Sequence, residues 1–190
     1  MITPPTIGTR TSVLSTTRGT RVIQNGLVTT NTQVSSTTIE QAANTLSFVR
    51  SCLIDSGPLI ALFAVDDRHH ARFDALVKEE SVRGRGLRLL TTWPSIVEAS
   101  YLLEIPQRFE MLKWIELGGV VVYPFEPAQH LGDMSRCMRR YSEAGKREID
   151  LADASLYWLA VESGVTDIMT VDVTDFSRFR LPRGKAFTLL

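Results

Sequence analysis

The sequence has only two cysteines, and neither lies in a CxxC or Cys/His spacing of the kind that binds zinc. Cys52 falls in an apolar run and Cys137 in a helical segment, so both are expected to be reduced core residues in a reducing compartment. No apolar run approaches the roughly 18 residues that a membrane helix needs. The sequence therefore predicts a soluble, cytoplasmic protein without disulfides.

Phosphate-binding glycine loops are also missing, since the chain contains no P-loop and no GxGxxG motif. Its 190 residues carry no formal net charge. Residues 1–50 have a charge of +3 from four arginines and one glutamate, and the remainder has 17 basic and 20 acidic residues. A broad nucleic-acid-binding face would be strongly basic, so these numbers allow only a local basic rim around an acidic pocket.

Residues 1–49 are rich in serine and threonine and have no useful helical or strand periodicity, which predicts a poorly ordered leader. They lack the amphipathic helix of a transit peptide and the apolar core of a secretory signal. We expect either a dispensable leader or a start codon assigned too far upstream. Residues 50–190 are then one domain, large enough to bury its own core.

Strands and helices alternate along this domain, which predicts an α/β fold with about five parallel strands flanked by helices in three layers. The run Cys52–Ile54 reads as a buried strand that stops at Asp55, with Pro58 at the first position of the following helix. A later strand, Asp167–Val171, likewise runs into Asp172. Ligands of such sheets bind at the carboxyl ends of the strands, where both aspartates are expected.

Two further carboxylates, Glu98 and Asp153, are expected in the first turns of helices that follow strands. Each also has a purely structural explanation. Glu98 stands three residues after Ser95, the spacing of a capping box, and Asp150 and Asp153 suit the start of a helix dipole. Together with Asp55 and Asp172, however, Glu98 and Asp153 would make four mutually repelling carboxylates at one sheet edge. A divalent cation would neutralise them there.

An all-oxygen ligand set favours Mg²⁺ or Mn²⁺ over zinc. Such sites act on phosphate esters by activating water and stabilising the leaving oxygen, so phosphodiester hydrolysis is the expected reaction. A basic run beside the predicted pocket offers phosphate contacts, although such runs are usually only solvated surface. Its candidate RNA-binding residues are Arg139, Arg140, Lys146 and Arg147. The neighbouring histidines His69 and His70 point about 100° apart on a helix and are expected to be surface residues.

Four motifs in this order resemble the acidic motifs of PIN-domain nucleases, most closely the VapC-type toxins of toxin–antitoxin pairs. The motifs are LIDSGPLIALF, SIVEASYLL, DLADASLYWLA and MTVDVTDF. The resemblance covers residues 50–190. It implies a metal-dependent endoribonuclease with a five-stranded parallel sheet, an RNA substrate, frequent homodimerisation and inhibition by a small antitoxin.

By the same resemblance, Asp55, Glu98, Asp153 and Asp172 are the metal-binding catalytic acids. Ser56 and Thr170 are polar neighbours that hold a metal-bound water, and Asp150 and Asp175 are further candidate acids. An RNA-processing nuclease without a toxin role and a catalytically silent binding module are the alternatives. A phosphatase of the haloacid dehalogenase type is disfavoured, because it needs a second aspartate where this chain has Gly57.

Overall fold

The computed structural model describes residues 50–82 and 86–190, so the predictions about residues 1–49 concern a segment outside the described residues. Five strands form one parallel sheet in the order β3-β2-β1-β4-β5. They are β1 (Arg50–Ile54), β2 (Leu87–Thr92), β3 (Val121–Tyr123), β4 (Asp167–Met169) and β5 (Thr188–Leu189). The predicted α/β fold with a five-stranded parallel sheet is confirmed.

Seven helices in the described ranges cover the sheet. They are α1 (Ser56–Phe63), α2 (His70–Val82), α3 (Trp93–Leu102), α4 (Ile105–Glu116), α5 (Pro127–Tyr141), α6 (Leu151–Ser163) and α7 (Val173–Arg178). Within the described ranges, no helix combines the length and the apolar character needed to cross a membrane.

The sheet has a hydrophobic core on each face, because successive strand side chains alternate between faces. In β1, Cys52 and Ile54 pack with α1, α2, α3 and α4, whereas Leu53 packs on the opposite side with α5, α6 and α7. Both cysteines are buried free thiols whose burial raises the pKa to about 12. They are therefore inert core residues, as predicted.

Three predictions about where a helix begins were wrong. Asp55 itself caps α1, which starts at Ser56, so Pro58 is the third helical residue. Helix α3 begins at Trp93 after Thr92, which places Glu98 in the second turn and rules out the expected capping box with Ser95.

The third error is the segment Phe176–Phe179, expected to be an irregular turn. Helix α7 occupies most of it, because the Asp172 carboxylate accepts a hydrogen bond from the Asp175 backbone N–H and so caps the helix.

Candidate functional site

Asp55 lies where the central strand β1 ends, and its side chain is buried with 5% of its surface exposed. Its carboxylate accepts hydrogen bonds from the Ser56 backbone N–H at 2.7 Å and from the Thr170 hydroxyl at 2.8 Å. Burial raises the pKa of Asp55 to about 6, repulsion from Glu98 and Asp150 adds to the rise, and the two hydrogen bonds oppose it. The Asp55 carboxylate is thus held in place by two hydrogen bonds, and other carboxylates lie near it.

Gly57, two positions after Asp55, occupies a place where only a small residue fits. A Cβ on Gly57 would lie 2.4 Å from Cγ2 of Val171, the residue that follows Thr170 after β4. Glycine therefore lets the turn after β1 approach the turn after β4 closely, and this contact brings Asp55 and Asp172 to the same region of the sheet edge.

Glu98 reaches this region from α3, although it lies one turn further along the helix than expected. Its side chain is half-buried, and burial raises its pKa, with repulsion from Asp150 adding to the effect. The Ser56 side chain interacts with Glu98 and opposes this rise in its pKa. Ser56 therefore acts on both carboxylates, on Asp55 through its backbone N–H and on Glu98 through its side chain.

Asp150 and Asp153 stand at the beginning of α6. Asp150 caps the helix by accepting a hydrogen bond from the Asp153 backbone N–H at 2.9 Å, as its position predicted. Burial raises the pKa of Asp153 to about 8, and the repulsion that adds to this rise comes, in decreasing order, from Asp150, Asp55, Asp175 and Asp172. Four separate carboxylates thus act on Asp153.

Asp172 and Asp175 complete the group from the segment after β4. The Thr170 hydroxyl oxygen accepts a hydrogen bond from the Asp172 N–H at 2.9 Å, in addition to its bond to Asp55. Asp175 is buried, and burial followed by repulsion from Asp172 raises its pKa. Its carboxylate lies 2.7 Å from Nε of Arg147, so it is paired with a cation, unlike Asp153.

One cleft of about 380 Å³ joins most of these side chains. We call it the acidic cleft. Its six acidic lining residues are Asp55, Asp67, Glu98, Asp150, Asp153 and Asp172. The lining includes only two residues that can carry positive charge, Arg68 and His69. The structure therefore brings all four predicted catalytic acids to a single cleft.

Sequence reasoning missed Asp67 and Arg68 as cleft residues. The sequence did contain a signal for them. The apolar run that forms α1 breaks at Val65, and polar residues that follow it line the cleft. Asp67 holds this turn by accepting a hydrogen bond from the His69 backbone N–H at 2.7 Å.

His70 was expected at the surface but is half-buried, with Nδ1 2.7 Å from the carbonyl oxygen of Ala61.

The four predicted RNA-binding residues lie in different places. Arg147 faces the acidic group, 3.9 Å from Asp172 and 2.7 Å from Asp175. Lys146 lies 3.8 Å from Glu143 on the exposed loop before α6. Arg139 and Arg140 line a separate cavity between α5 and α6.

A divalent metal fits the acidic cleft in donor chemistry and charge. The donors are hard carboxylate oxygens, and burial together with repulsion from other carboxylates raises the pKa values of Asp55, Glu98 and Asp153. Among residues 50–82 and 86–190, however, no three acidic, histidine or cysteine side chains already form a ligand cage. Binding an ion would therefore require side-chain rotations that draw the carboxylates together.

Known proteins give no independent assignment of this site. No protein-family profile matches the chain, and no curated protein is similar enough to count as a relative. The function must therefore be inferred from the residues of the cleft.

Proposed function

We propose that this protein is a Mg²⁺- or Mn²⁺-dependent endoribonuclease of the PIN-domain type that hydrolyses RNA phosphodiester bonds, acting as the toxin of a toxin–antitoxin pair. The observation that carries the proposal is the convergence of Asp55, Glu98, Asp153 and Asp172 on the acidic cleft. Each lies in one of the four motifs that resemble PIN nucleases. The parallel sheet supports the proposal, because its order puts β1 and β4 side by side at the centre.

In this proposal the four acids hold the metal, and their neighbours orient them. The Asp55 carboxylate is held by Thr170 and the Ser56 backbone, and the Ser56 side chain interacts with Glu98. Asp172 is aligned by its own backbone bond to Thr170. Asp150 caps α6 and thereby sets the direction in which Asp153 enters the cleft.

A bound divalent ion would lower the pKa of water and neutralise charge that develops on the leaving oxygen. The chain itself has to keep its carboxylates ionised and in place. Asp153, with a pKa raised to about 8, is largely protonated at neutral pH when no cation is present. Cation binding and loss of this proton are therefore coupled.

The test is metal-dependent RNA cleavage by Asp55→Asn and Asp153→Asn, each of which removes a charge with almost no change in volume. We expect either change to lower the cleavage rate with Mg²⁺ by about 100-fold or more. Asp74→Asn on α2 is the matched control, because Asp74 is not among the residues that line the acidic cleft and its carboxylate pairs with Lys78 one turn along the same helix. Wild-type cleavage by either variant would remove that residue from the catalytic set.

The alternative functions make different predictions. A catalytically silent binding module would retain RNA affinity but show no Mg²⁺-dependent cleavage. An RNA-processing nuclease would cleave RNA without arresting growth when expressed. The toxin proposal requires growth arrest in a bacterial host, relieved by a small DNA-binding protein encoded beside it, and that antitoxin remains a prediction from the resemblance.

An exposed apolar face supports the expected homodimer. Helices α3 and α4 carry large hydrophobic side chains that are 38–82% exposed. They are Trp93, Val97, Tyr101, Leu102, Ile105, Phe109 and Leu112. Exposed apolar patches of this extent usually mark interaction sites, and a stable interface buries on the order of 800 Å² per partner. We propose that a second copy of the chain covers this face, and sedimentation of Phe109→Glu as a monomer would test it.

A further inference from the structure

A cavity of about 660 Å³ lies outside the acidic cleft, between α5 and α6. A shallower cavity of about 330 Å³ adjoins it and shares Arg140, Tyr157 and Pro182 with it. We call the two together the arginine groove. Nothing in the catalytic proposal uses them, although their size is in the range of ligand-binding pockets.

The arginine groove has a positive rim. Its five arginines are Arg136, Arg139, Arg140, Arg180 and Arg183, and its two acids are Asp133 and Glu162. Asp133 pairs with Arg136, which leaves an excess of cations. Arg139 and Arg183 are exposed and have no ion-pair partner among residues 50–82 and 86–190. These features favour an anionic ligand.

The wall between these arginines is aromatic and apolar. The half-buried Tyr141 and Tyr157 line it together with Val161, which is 40% exposed, and the buried Trp158 lies beneath them. The Tyr141 and Tyr157 rings are 6.1 Å apart, and both hydroxyl groups are hydrogen-bonded to the Arg180 backbone. The guanidinium of Arg140 lies 5.3 Å from the centre of the Tyr141 ring. Arginines interleaved with aromatic rings are the surface that single-stranded nucleic acid prefers, because phosphates and bases each find a partner.

The groove is also placed to continue the acidic cleft. Asp153 in the cleft and Tyr157 in the groove are one turn apart on the same side of α6, and Val161 is one turn further. One turn is about 5.4 Å along the helix axis, so the cleft and the groove are within reach of one strand. A chain bound in the cleft could therefore extend directly along α6 into the groove.

An independent electrostatic reason calls for such an extension. The cleft has six acidic lining residues against Arg68 and His69, so before a cation binds it repels a phosphate backbone. Affinity for RNA must come from positive charge elsewhere. We propose that the arginine groove is a binding site for single-stranded RNA that holds the strand next to the acidic cleft. The identity of this strand as substrate rests on the proposed function, but its binding does not.

The experiment measures binding of a fluorescent 12-residue oligouridylate to the full chain in EDTA, so that divalent ions are removed. The double variant Arg139→Glu/Arg183→Glu should weaken binding at least about 10-fold. It should also make binding less salt-dependent, so that the magnitude of the slope of log affinity against log salt falls by about 1.4, because each phosphate contact with a single strand contributes about 0.7. Val161→Glu, on the exposed side of α6, should weaken binding in the same direction. The matched control is Lys78→Glu/Lys113→Glu, which makes the same charge change on α2 and α4 and should alter affinity less than about 2-fold.

Equal losses in the groove variant and the control would overturn the proposal, because they would show only a general charge effect. Competition by uridine monophosphate at the same concentration as the oligomer would also overturn it in favour of a nucleotide pocket. If the wild-type protein cleaves RNA but the groove variants bind normally, the groove proposal fails and the nuclease proposal stands. If the groove variants lose binding but the wild-type protein shows no Mg²⁺-dependent cleavage, the groove proposal stands and the nuclease proposal fails.

Discussion

The acidic cleft and the arginine groove meet along α6, yet their charges are opposite. The cleft concentrates carboxylates whose pKa values are raised, whereas the groove is lined by five arginines and aromatic rings. A chain with no formal net charge therefore separates its charges between two sites that both border α6. Overall charge consequently reveals little about the local electrostatics of this protein, because the linings of the cleft and the groove differ in the sign of their charge.

Arg147 provides the sharpest test of this separation, because it is a cation that belongs to the acidic side. Its Nε lies 2.7 Å from the buried Asp175 carboxylate, and in the described part of the chain only Arg178, at 3.7 Å, offers Asp175 a second cation. Arg147→Met should lower the free energy of unfolding by about 3 kcal/mol, since it leaves a buried charge largely uncompensated. Urea denaturation measures this loss.

The control is Arg139→Met in the groove, where the exposed side chain has no ion-pair partner in the described part of the chain, and it should change stability by less than about 0.5 kcal/mol. The double change Arg147→Met/Asp175→Asn should recover most of the stability, because it removes both charges. Equal effects of Arg147→Met and Arg139→Met would show that the two sides are not distinct.

The same basic run shows what sequence could and could not predict. The order of strands and helices and the strand-end positions of Asp55 and Asp172 followed from hydrophobic runs and turn residues. Those signals are local, and parallel topology converts them into a shared edge. The direction of each arginine depends instead on where α5 ends and how the following loop folds back, so Arg147 and Arg139 could not be assigned to opposite sides.

The location of Glu98 illustrates a second limit. Its motif correctly predicted arrival at the acidic cleft, but the helix start was misplaced, because Ser95 resembled a cap whereas the chain is already helical at Trp93. Ser95 is instead buried, with its hydroxyl 3.3 Å from that of Thr92. Helix boundaries depend on such tertiary contacts, and a capping pattern alone does not reveal them.

The pH dependence of the free energy of unfolding should distinguish the cleft from the groove. We expect this free energy to change by about 2 kcal/mol after allowance for solvent screening. The folded-state pKa values of Asp55 and Asp153 are raised to about 6 and about 8. The folded protein therefore binds these protons more tightly than the unfolded chain does. Their stabilising contribution is fully present below about pH 4 and is lost as pH rises towards 8.

Thermal unfolding in EDTA from pH 4 to pH 8.5 measures this effect, with Asp153→Asn as the comparison. The variant should lose less stability over this range than the wild-type protein, because asparagine does not titrate. Mg²⁺ should stabilise the wild-type protein more at pH 8 than at pH 5, where protons compete for the carboxylates. Parallel pH profiles of the two proteins would show that Asp153 does not have a raised pKa.

The smallest expected effect concerns Thr170, which holds the cleft without contributing charge. Its hydroxyl donates to Asp55 at 2.8 Å and accepts from the Asp172 N–H at 2.9 Å, so Thr170→Val removes two supports while nearly preserving shape. We expect Mg²⁺ affinity, measured by calorimetry, to fall about 10-fold, as is typical when a group that orients a metal ligand is lost. Thr91→Val is the matched control, because the buried Thr91 hydroxyl donates to the Ile54 carbonyl at 2.8 Å and, within residues 50–82 and 86–190, makes no hydrogen bond to a cleft carboxylate. If both variants bind Mg²⁺ equally well, the order of the cleft comes from the packing of its turns, and the Thr170 hydroxyl does not set the position of the acids.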